Sequence, residues 1–347
     1  MANVHHGKAV RDVDDASALS TDQDQFRRNF SIDQSKQIKL VKLVHMRYQH
    51  PQLDEITTFL EDFGMTVAKR TDTKVWYKGY GEDPYVYYAQ KGEKKFLGGC
   101  FEVESVEELE KASRLLPNAS PIQDLDDSPG GGKMVTVYDP TGFPVNLIFG
   151  QQRHRSELPQ PLQFNYEKHK PRIRQFQRFT PGPSPVHKLG HYGLCVRNFD
   201  EQFKFYIENF NLVPSDILYV TEGGKRKNVA VFAHVDRGDD YVDHHTFFMS
   251  GAEKDHVHHC SFEVHDYDTQ NLGHYWLASK GYKPVWGVGR HILGSQLFDY
   301  WWDTTGNMIE HYTDGDLVNK HSPVDYCPAG PDSLYVWGPK VPSTFLD

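Results

Sequence analysis

The chain has 347 residues, a formal net charge of −9 at pH 7, 38% hydrophobic residues and 13% aromatic residues. This length allows two domains, and the aromatic content is typical of β-strands and of pockets for flat ligands. The negative charge argues against nucleic-acid binding, and no apolar run approaches the length of a membrane span.

The composition of the N-terminus predicts a polar arm and not a targeting signal. Residues 1–35 are polar and charged without clear periodicity, so we expect an N-terminal arm that is flexible or wrapped on the surface. Its first residues contain no hydrophobic signal core. Four widely spaced cysteines without a CxxC pair favour reduced thiols and a cytoplasmic protein.

Residues 36–150 predict a first domain in which strands alternate with helices. A strand at 40–47 precedes an amphipathic helix at 52–64, and a strand at 100–103 precedes a second helix at 104–116. Both helices have apolar residues at spacings of three and four. Further β-rich runs follow each helix.

Residues 184–316 predict a second domain with the same order of elements. A strand at 188–196 leads to a helix at 200–211, and a strand at 260–264 leads to a helix at 267–282. Together the two domains predict an α+β fold of four βαβββ-like modules, two in each domain.

Two proline-rich segments flank the second domain. Residues 151–183 are rich in Pro, Arg and Gln and predict a linker, and residues 317–347 predict an irregular C-terminal tail. Both carry more aromatic residues than solvated segments usually do. We therefore expect them to close over a site or to pack between subunits of a homo-oligomer.

The two halves repeat each other in register. His45 stands nine residues before Asp54, as His191 stands nine residues before Asp200. A Phe-Glu-Val triplet and a D-x-T-G motif also recur in the same order in both halves. Three matches in one order indicate an internal repeat.

The repeat positions carry different side chains in the two halves. The second half has His191, His259 and Glu310, and a carboxylate on an apolar strand is costly to bury without a compensating partner. Two neutral imidazoles and one carboxylate leave three positions open on an octahedral ion, as in non-heme Fe(II) oxygenases. The first half has residues that cannot form this set: His45, Gly98 and Asn146. The sequence therefore predicts a metal site in the second half alone, with His45 as a satisfied interior histidine.

Three motifs carry a family resemblance: GHYGLCVRNFD, HHCSFEV and GRHILGSQLFDYWWDTTGNMIEHY. They resemble type I extradiol ring-cleaving dioxygenases of the vicinal oxygen chelate superfamily, over roughly residues 40–315. The resemblance implies the vicinal oxygen chelate fold and makes His191, His259 and Glu310 ligands of Fe(II), with Mn(II) as the alternative metal. It also implies cleavage of a substituted catechol by O2 in the catabolism of aromatic compounds.

The resemblance assigns further roles around the metal. His291 and Tyr300 correspond to groups that contact the substrate. HHTFFMSG resembles the segment that supplies an acid/base histidine; the spacing His-x-Thr favours His244, and the neighbouring His245 stays open. His258 should face away from the metal, because adjacent strand side chains alternate.

Other functions are compatible with the same fold. A glyoxalase-like isomerase or epimerase would use a metal without O2, and a bleomycin-resistance-like protein would bind a small molecule without catalysis. Taken alone, a strand histidine is more often a satisfied or exposed residue than a ligand. The ordered His-His-Glu set favours the dioxygenase.

Overall fold

The computed structural model describes residues 19–330 and 333–346. The first part of the predicted arm, 1–18, lies outside the described residues. The rest of the arm forms strand β1 (Leu19–Thr21) and helix α1 (Gln23–Asn29). Phe26 of α1 is fully buried, with its ring centroid 6.4 Å from that of Phe203. This part of the arm therefore belongs to the packed structure.

The first half forms an eight-stranded sheet with two helices. Its elements are β2 (Leu40–His50), α2 (Leu53–Asp62), β3 (Thr66–Arg70), β4 (Lys74–Lys78), β5 (Tyr87–Lys91), β6 (Lys95–Val103), α3 (Val106–Leu115), β7 (Gln123–Asp124), β8 (Lys133–Tyr138) and β9 (Pro144–Phe149). The strand order is β3-β4-β5-β2-β6-β9-β8-β7. Helix α2 packs through apolar residues three or four apart: Leu53, Ile56, Phe59 and Leu60.

The second half and the tail build an eleven-stranded sheet. Their elements are β10 (Val186–Val196), α4 (Phe199–Asn209), β11 (Leu212–Glu222), β12 (Lys225–Val235), β13 (Val242–Asp243), β14 (Phe247–Gly251), β15 (His256–Val264), α5 (Tyr267–Ser279), β16 (Pro284–His291), β17 (Leu297–Trp302), β18 (Met308–Thr313), β19 (Leu317–Val318), β20 (Val324–Pro328) and β21 (Tyr335–Trp337). The strand order is β1-β20-β11-β12-β14-β10-β15-β18-β17-β16-β21, and β13 pairs separately with β19.

Strand pairing repeats between the halves. Strand β6 pairs antiparallel with β2 and parallel with β9, as β15 pairs antiparallel with β10 and parallel with β18. Cys100 lies opposite Asn146 in one sheet, and Ser261 lies opposite Glu310 in the other. The predicted α+β fold of paired βαβββ modules in two domains is confirmed.

The two proline-rich segments differ from each other. Residues 151–183 contain no helix or strand. The tail is less irregular than the sequence predicts, because β20 adds to the open edge of β11 and β21 adds to β16, where their main-chain groups find partners. Among the described residues, no helix combines the length and the apolar character that a bilayer crossing requires.

Candidate metal site and cavity

Three neighbouring strands bring the predicted ligands together. His191 lies on β10, His259 on the adjacent β15 and Glu310 on β18, which pairs with β15. One donor atom from each residue lies within 4.8 Å of the others, and all three side chains are buried. Side chains that are distant in sequence thus point to one place because the sheet register aligns them.

The donor atoms are spaced as ligands of one ion. Nε2 of His191 lies 3.1 Å from Nε2 of His259 and 3.1 Å from Oε2 of Glu310, and Nε2 of His259 lies 3.6 Å from Oε2 of Glu310. With metal–ligand bonds of about 2.1 Å, neighbouring corners of an octahedron are about 3.0 Å apart. The three donors therefore suit one face of an octahedral ion.

The protonation of these groups also suits a metal. Burial alone would raise the pKa of the Glu310 carboxyl, but the imidazoles of His191 and His291 outweigh burial and hold that pKa well below its usual range. Burial lowers the pKa of His259 well below its usual value. Neither oxygen of Glu310 accepts a hydrogen bond of good geometry from a described residue. A buried, ionised carboxylate that accepts no hydrogen bond of good geometry, next to the imidazoles of His191 and His259, is a donor set that a divalent cation can use.

A chain of hydrogen bonds fixes which nitrogen of His259 faces the cluster. Nε2 of His258 lies 2.5 Å from the carbonyl oxygen of Phe345, so this nitrogen carries the hydrogen and donates. Burial lowers the pKa of His258 to about 4, so its Nδ1 is unprotonated and accepts from Nδ1–H of His259, 2.6 Å away. Nε2 of His259 is therefore left with its lone pair towards the cluster.

The prediction that His258 faces away from the site is wrong. The pairing of β10 with β15 skips a residue, since Gly193 pairs with His259 and Leu194 pairs with Val257. This β-bulge interrupts the alternation of side chains at His258, so that both histidines line the same cavity.

His291 and Tyr300, the predicted substrate-contacting groups, lie near the carboxylate of Glu310, with Nε2 of His291 3.8 Å from its Oε1. Nδ1 of His291 donates to the carbonyl oxygen of Leu334 at 2.8 Å, and the hydroxyl of Tyr300 lies 3.0 Å from Nε2 of His291. Tyr300 pairs with Glu310 across β17 and β18, and burial, followed by the charge of Glu310, raises its pKa well above the usual value. Tyr300 is thus a neutral phenol that can donate a hydrogen bond.

The structure turns His245, and not the favoured His244, towards the candidate ligand His191. The rings of His245 and His191 are 4.1 Å apart, and His245 lines the cavity. His244 is engaged behind it, with Nε2 2.8 Å from Oδ2 of Asp216 and Nδ1 3.2 Å from Nδ1 of His245. Residues 244–246 lie between β13 and β14, outside both strands, so strand alternation does not govern these side chains.

These contacts also define the hydrogen positions of the pair. In the neutral tautomer of His244 that donates from Nε2–H to Asp216, Nδ1 is left to accept from Nδ1–H of His245. Burial, followed by the neighbouring imidazoles, lowers the pKa of His245 well below its usual value. Nε2 of His245 is therefore unprotonated and able to accept a proton.

A cavity of about 540 Å³ opens next to the histidines. The sequence left open whether the tail closes over the site or packs between subunits. In the structure the tail covers one side of this cavity. The lining combines the site, the β11–β12 hairpin and the tail; its members include His191, His245, His258, His259, His291, Tyr300, Leu218, Val220, Val229, Ala230, Leu334, Pro342, Phe345 and Leu346. The size falls in the usual range for small-molecule sites.

The first half has no comparable cluster among its described residues. His45 is buried as predicted, but it is not satisfied, because neither ring nitrogen has a hydrogen-bond partner among the described residues. Asn146 is engaged instead with the hydroxyl of Thr136 and the carbonyl oxygen of Leu97. The position equivalent to Glu310 is thus occupied by a neutral, hydrogen-bonded amide.

Sequence reasoning missed Asp216 and the carbonyl groups of the tail. Asp216 is a buried acid within the apolar strand β11. The argument that singled out Glu310, a carboxylate on an apolar strand, applies equally to Asp216 and could have found it. The main-chain contacts of Phe345 and Leu334 have no signature in sequence, because every residue carries the same carbonyl group.

Comparisons with known proteins agree with this arrangement. Residues 188–311 match the family described as the glyoxalase/bleomycin resistance protein/dioxygenase superfamily. Over 329 residues the chain is 27% identical to metapyrocatechase 2 of Cupriavidus necator. The alignment covers 87% of this chain and 90% of that protein.

Two solved structures illustrate the likeness in fold. The Mn(II)-bound glyoxalase of Novosphingobium aromaticivorans has a TM-score of 0.73 at 18% identity, covering 88% of this chain and 94% of that chain. The complex of homoprotocatechuate 2,3-dioxygenase of Brevibacterium fuscum with 3,4-dihydroxyphenylacetate has a TM-score of 0.73 at 16% identity, covering 90% and 93%. One fold thus accommodates both activities, and the site must distinguish them.

Proposed function

We propose that this chain, whose residues 188–311 match the glyoxalase/bleomycin resistance protein/dioxygenase superfamily, is an extradiol ring-cleaving dioxygenase. Such an enzyme inserts both atoms of O2 into a catechol and breaks the carbon–carbon bond beside the diol. The observation that carries the proposal is the convergence of His191, His259 and Glu310, with both histidines lining a cavity sized for a small molecule. The similarity to metapyrocatechase 2 supports it.

We propose Fe(II) as the metal, held by His191, His259 and Glu310, with Mn(II) as the alternative. When bound, such an ion supplies Lewis acidity and the redox chemistry by which O2 reacts with a chelated catechol. His191 and His259 would each supply an imidazole nitrogen to the ion, and Glu310 would supply a carboxylate oxygen. The remaining steps belong to the side chains around it.

His245 is the proposed base that takes a catechol hydroxyl proton. Its Nε2 is free to accept, because the hydrogen on Nδ1 points to His244 and Asp216 orients His244 in turn. A base held in one tautomer needs no reorganisation when the substrate arrives. The same nitrogen can return the proton later in the reaction. His244 is then a positioning residue rather than the base.

His291 and Tyr300 are the proposed substrate-orienting groups. The tail carbonyl of Leu334 fixes the imidazole, and the imidazole in turn lies within hydrogen-bond distance of the Tyr300 hydroxyl. The apolar tail residues Pro342 and Phe345 line the cavity and keep water from the reacting atoms.

We further propose that 184–316 carries the reaction, while 36–150 shapes and supports it, with 151–183 as a linker and 317–347 as a covering tail. A homo-oligomer is favoured by apolar side chains of the linker that are largely exposed in one chain, among them Ile173 at 75% and Phe176 at 73%. A cytoplasmic location follows from the reduced cysteines expected from the sequence.

Oxygen consumption tests the proposal. The protein, purified without air and loaded with Fe(II), should convert catechol to a yellow ring-fission product with uptake of one O2 for each catechol. Mass spectrometry after reaction in 18O2 should show both labelled atoms in the product. A glyoxalase-like isomerase, the alternative on the same fold, would transform its substrate without oxygen uptake, and that result would overturn the dioxygenase.

A further inference from the structure

The wall of the cavity next to the proposed metal ligands is apolar and uncharged. The ring centroid of Phe248 lies 5.9 Å from that of His259, and the ring centroid of Phe232 lies 5.1 Å from that of His245. Phe248 packs in turn with the buried apolar residues Leu218, Ala230 and Leu293. A continuous apolar surface therefore begins directly beside the metal ligands.

Among the described residues that line the cavity there is no lysine, arginine, aspartate or glutamate. Polar side chains other than the histidines and Tyr300 are neutral: Ser250, Gln296, Ser333 and Ser343. The nearby Arg290 does not line the cavity and is engaged with the carboxylate of Asp314 and the carbonyl oxygen of Ser295. A carboxylate on a bound ligand would find no cationic partner in this lining.

The cavity has more room than an unsubstituted ring needs. A cavity of about 150 Å³ holds a benzene ring, whereas this one measures about 540 Å³. The surplus volume borders the apolar wall. Each methylene group that moves from water to such a wall should strengthen binding by about threefold to fourfold.

We infer that the substrate is a catechol whose substituent is uncharged and apolar, such as an alkyl or aryl group, and that carboxylated catechols are rejected. The inference rests on the proposed ring-cleaving function and specifies its substrate class. Rejection follows from the cost of desolvating an unpaired carboxylate, which exceeds what contact with the wall returns.

Matched acids and esters test the inference. Affinities of the metal-loaded protein are measured without oxygen, by calorimetry, for 3,4-dihydroxyphenylacetate and its methyl ester. A second pair, 3-(2,3-dihydroxyphenyl)propionate and its methyl ester, places the substituent at the other ring position. We expect the better-binding ester to exceed its acid by at least about 100-fold. Equal affinities within both pairs, or no binding of either ester, would overturn the inference.

A substitution on the wall adds a second test. Val220 lines the cavity and is only partly buried, so Val220→Arg can bring a cation to the wall. We expect this variant to shift the acid-to-ester affinity ratio towards the acid by about twofold to fivefold. Val220→Met, of similar reach without charge, should leave the ratio unchanged. An unchanged ratio in Val220→Arg would contradict the assignment of this wall to the substituent.

Turnover separates this inference from the proposed function. Cleavage of catechol together with equal binding of acid and ester would overturn the apolar substrate class and leave ring cleavage standing. Selective binding of the esters without cleavage of any catechol would support the apolar substituent and overturn the dioxygenase.

Discussion

Nδ1 of His258 lies 2.6 Å from Nδ1 of His259, and its other ring nitrogen lies 2.5 Å from the carbonyl oxygen of Phe345. The last turn of the tail is thereby connected through two hydrogen bonds to a proposed metal ligand. Partners of this kind orient a ligating imidazole and raise its basicity. Tail placement and metal affinity should therefore be linked.

The first prediction concerns this connection. His258→Ala should weaken metal binding by about 10-fold to 100-fold, because His259 loses the acceptor that fixes its tautomer. Truncation after Val341 should weaken binding in the same direction, and combining both changes should add little. Phe345→Ala is the control, since it removes the ring but keeps the carbonyl group. Competition with a chelator measures the metal affinity of each variant. If the losses from His258→Ala and from the truncation add fully in the combined variant, the two changes do not act through a shared hydrogen-bond chain.

The second prediction concerns the ligand set. Glu310→Gln should sharply lower the iron content and abolish activity, because a neutral amide cannot replace the anionic donor. His45→Ala, at the equivalent place of the first half, should leave the iron content unchanged. Metal analysis of both purified variants tests the assignment. Loss of iron in His45→Ala with retention of iron in Glu310→Gln would show that the metal binds in the first half and would contradict the assignment.

The third prediction concerns the proposed base. His245→Phe should retain the metal and lower kcat by about 100-fold or more, the usual contribution of a general base. Asp216→Leu should lower kcat by about 10-fold through the tautomer of His244. Asp216→Asn keeps an acceptor oxygen and should be milder. Steady-state rates alongside metal content test this order, and a larger loss in His244→Phe than in His245→Phe would reverse the assignment.

The fourth prediction concerns stability in acid. Burial lowers the pKa of His50 to about 4, whereas an unfolded histidine titrates near 6.5. Between these values the unfolded chain binds more protons than the folded one. The contribution of His50 to the free energy of unfolding therefore has its full value above pH 6.5 and falls as the pH drops towards 4.

Denaturant titrations across this pH range measure the effect. His50→Gln should reduce the pH slope of the unfolding free energy by up to about 1.4 kcal/mol per pH unit. A slope in His50→Gln equal to that of the unsubstituted protein would show that His50 does not contribute.

The fifth prediction concerns association. Replacing the exposed Ile173 and Phe176 by serine should shift the protein towards smaller species, because these side chains would lose a contact between subunits. Light scattering measures the mass, and catechol turnover reports whether the site survives. An unchanged mass would remove the linker from the proposed subunit contact.

The sequence by itself determined the fold class and the three proposed ligands. Helical spacing and strand alternation are local properties, so they are visible without coordinates. The repeat added long-range information, since equal spacings around His45 and His191 imply equal strand positions. The pairing of β10, β15 and β18 then brought His191, His259 and Glu310 to one point, as the overlay of the halves predicts.

Only the tertiary structure decided how the groups around these ligands are arranged. His258 turns inwards because the register slips beside it, and His245 faces the proposed ligands because Asp216 on β11 engages His244. The partner of His258 is a main-chain carbonyl 87 residues away, at Phe345. Local patterns encode the direction of a side chain within a regular element. They do not encode bulges, loop side chains or main-chain partners, which depend on how distant segments pack.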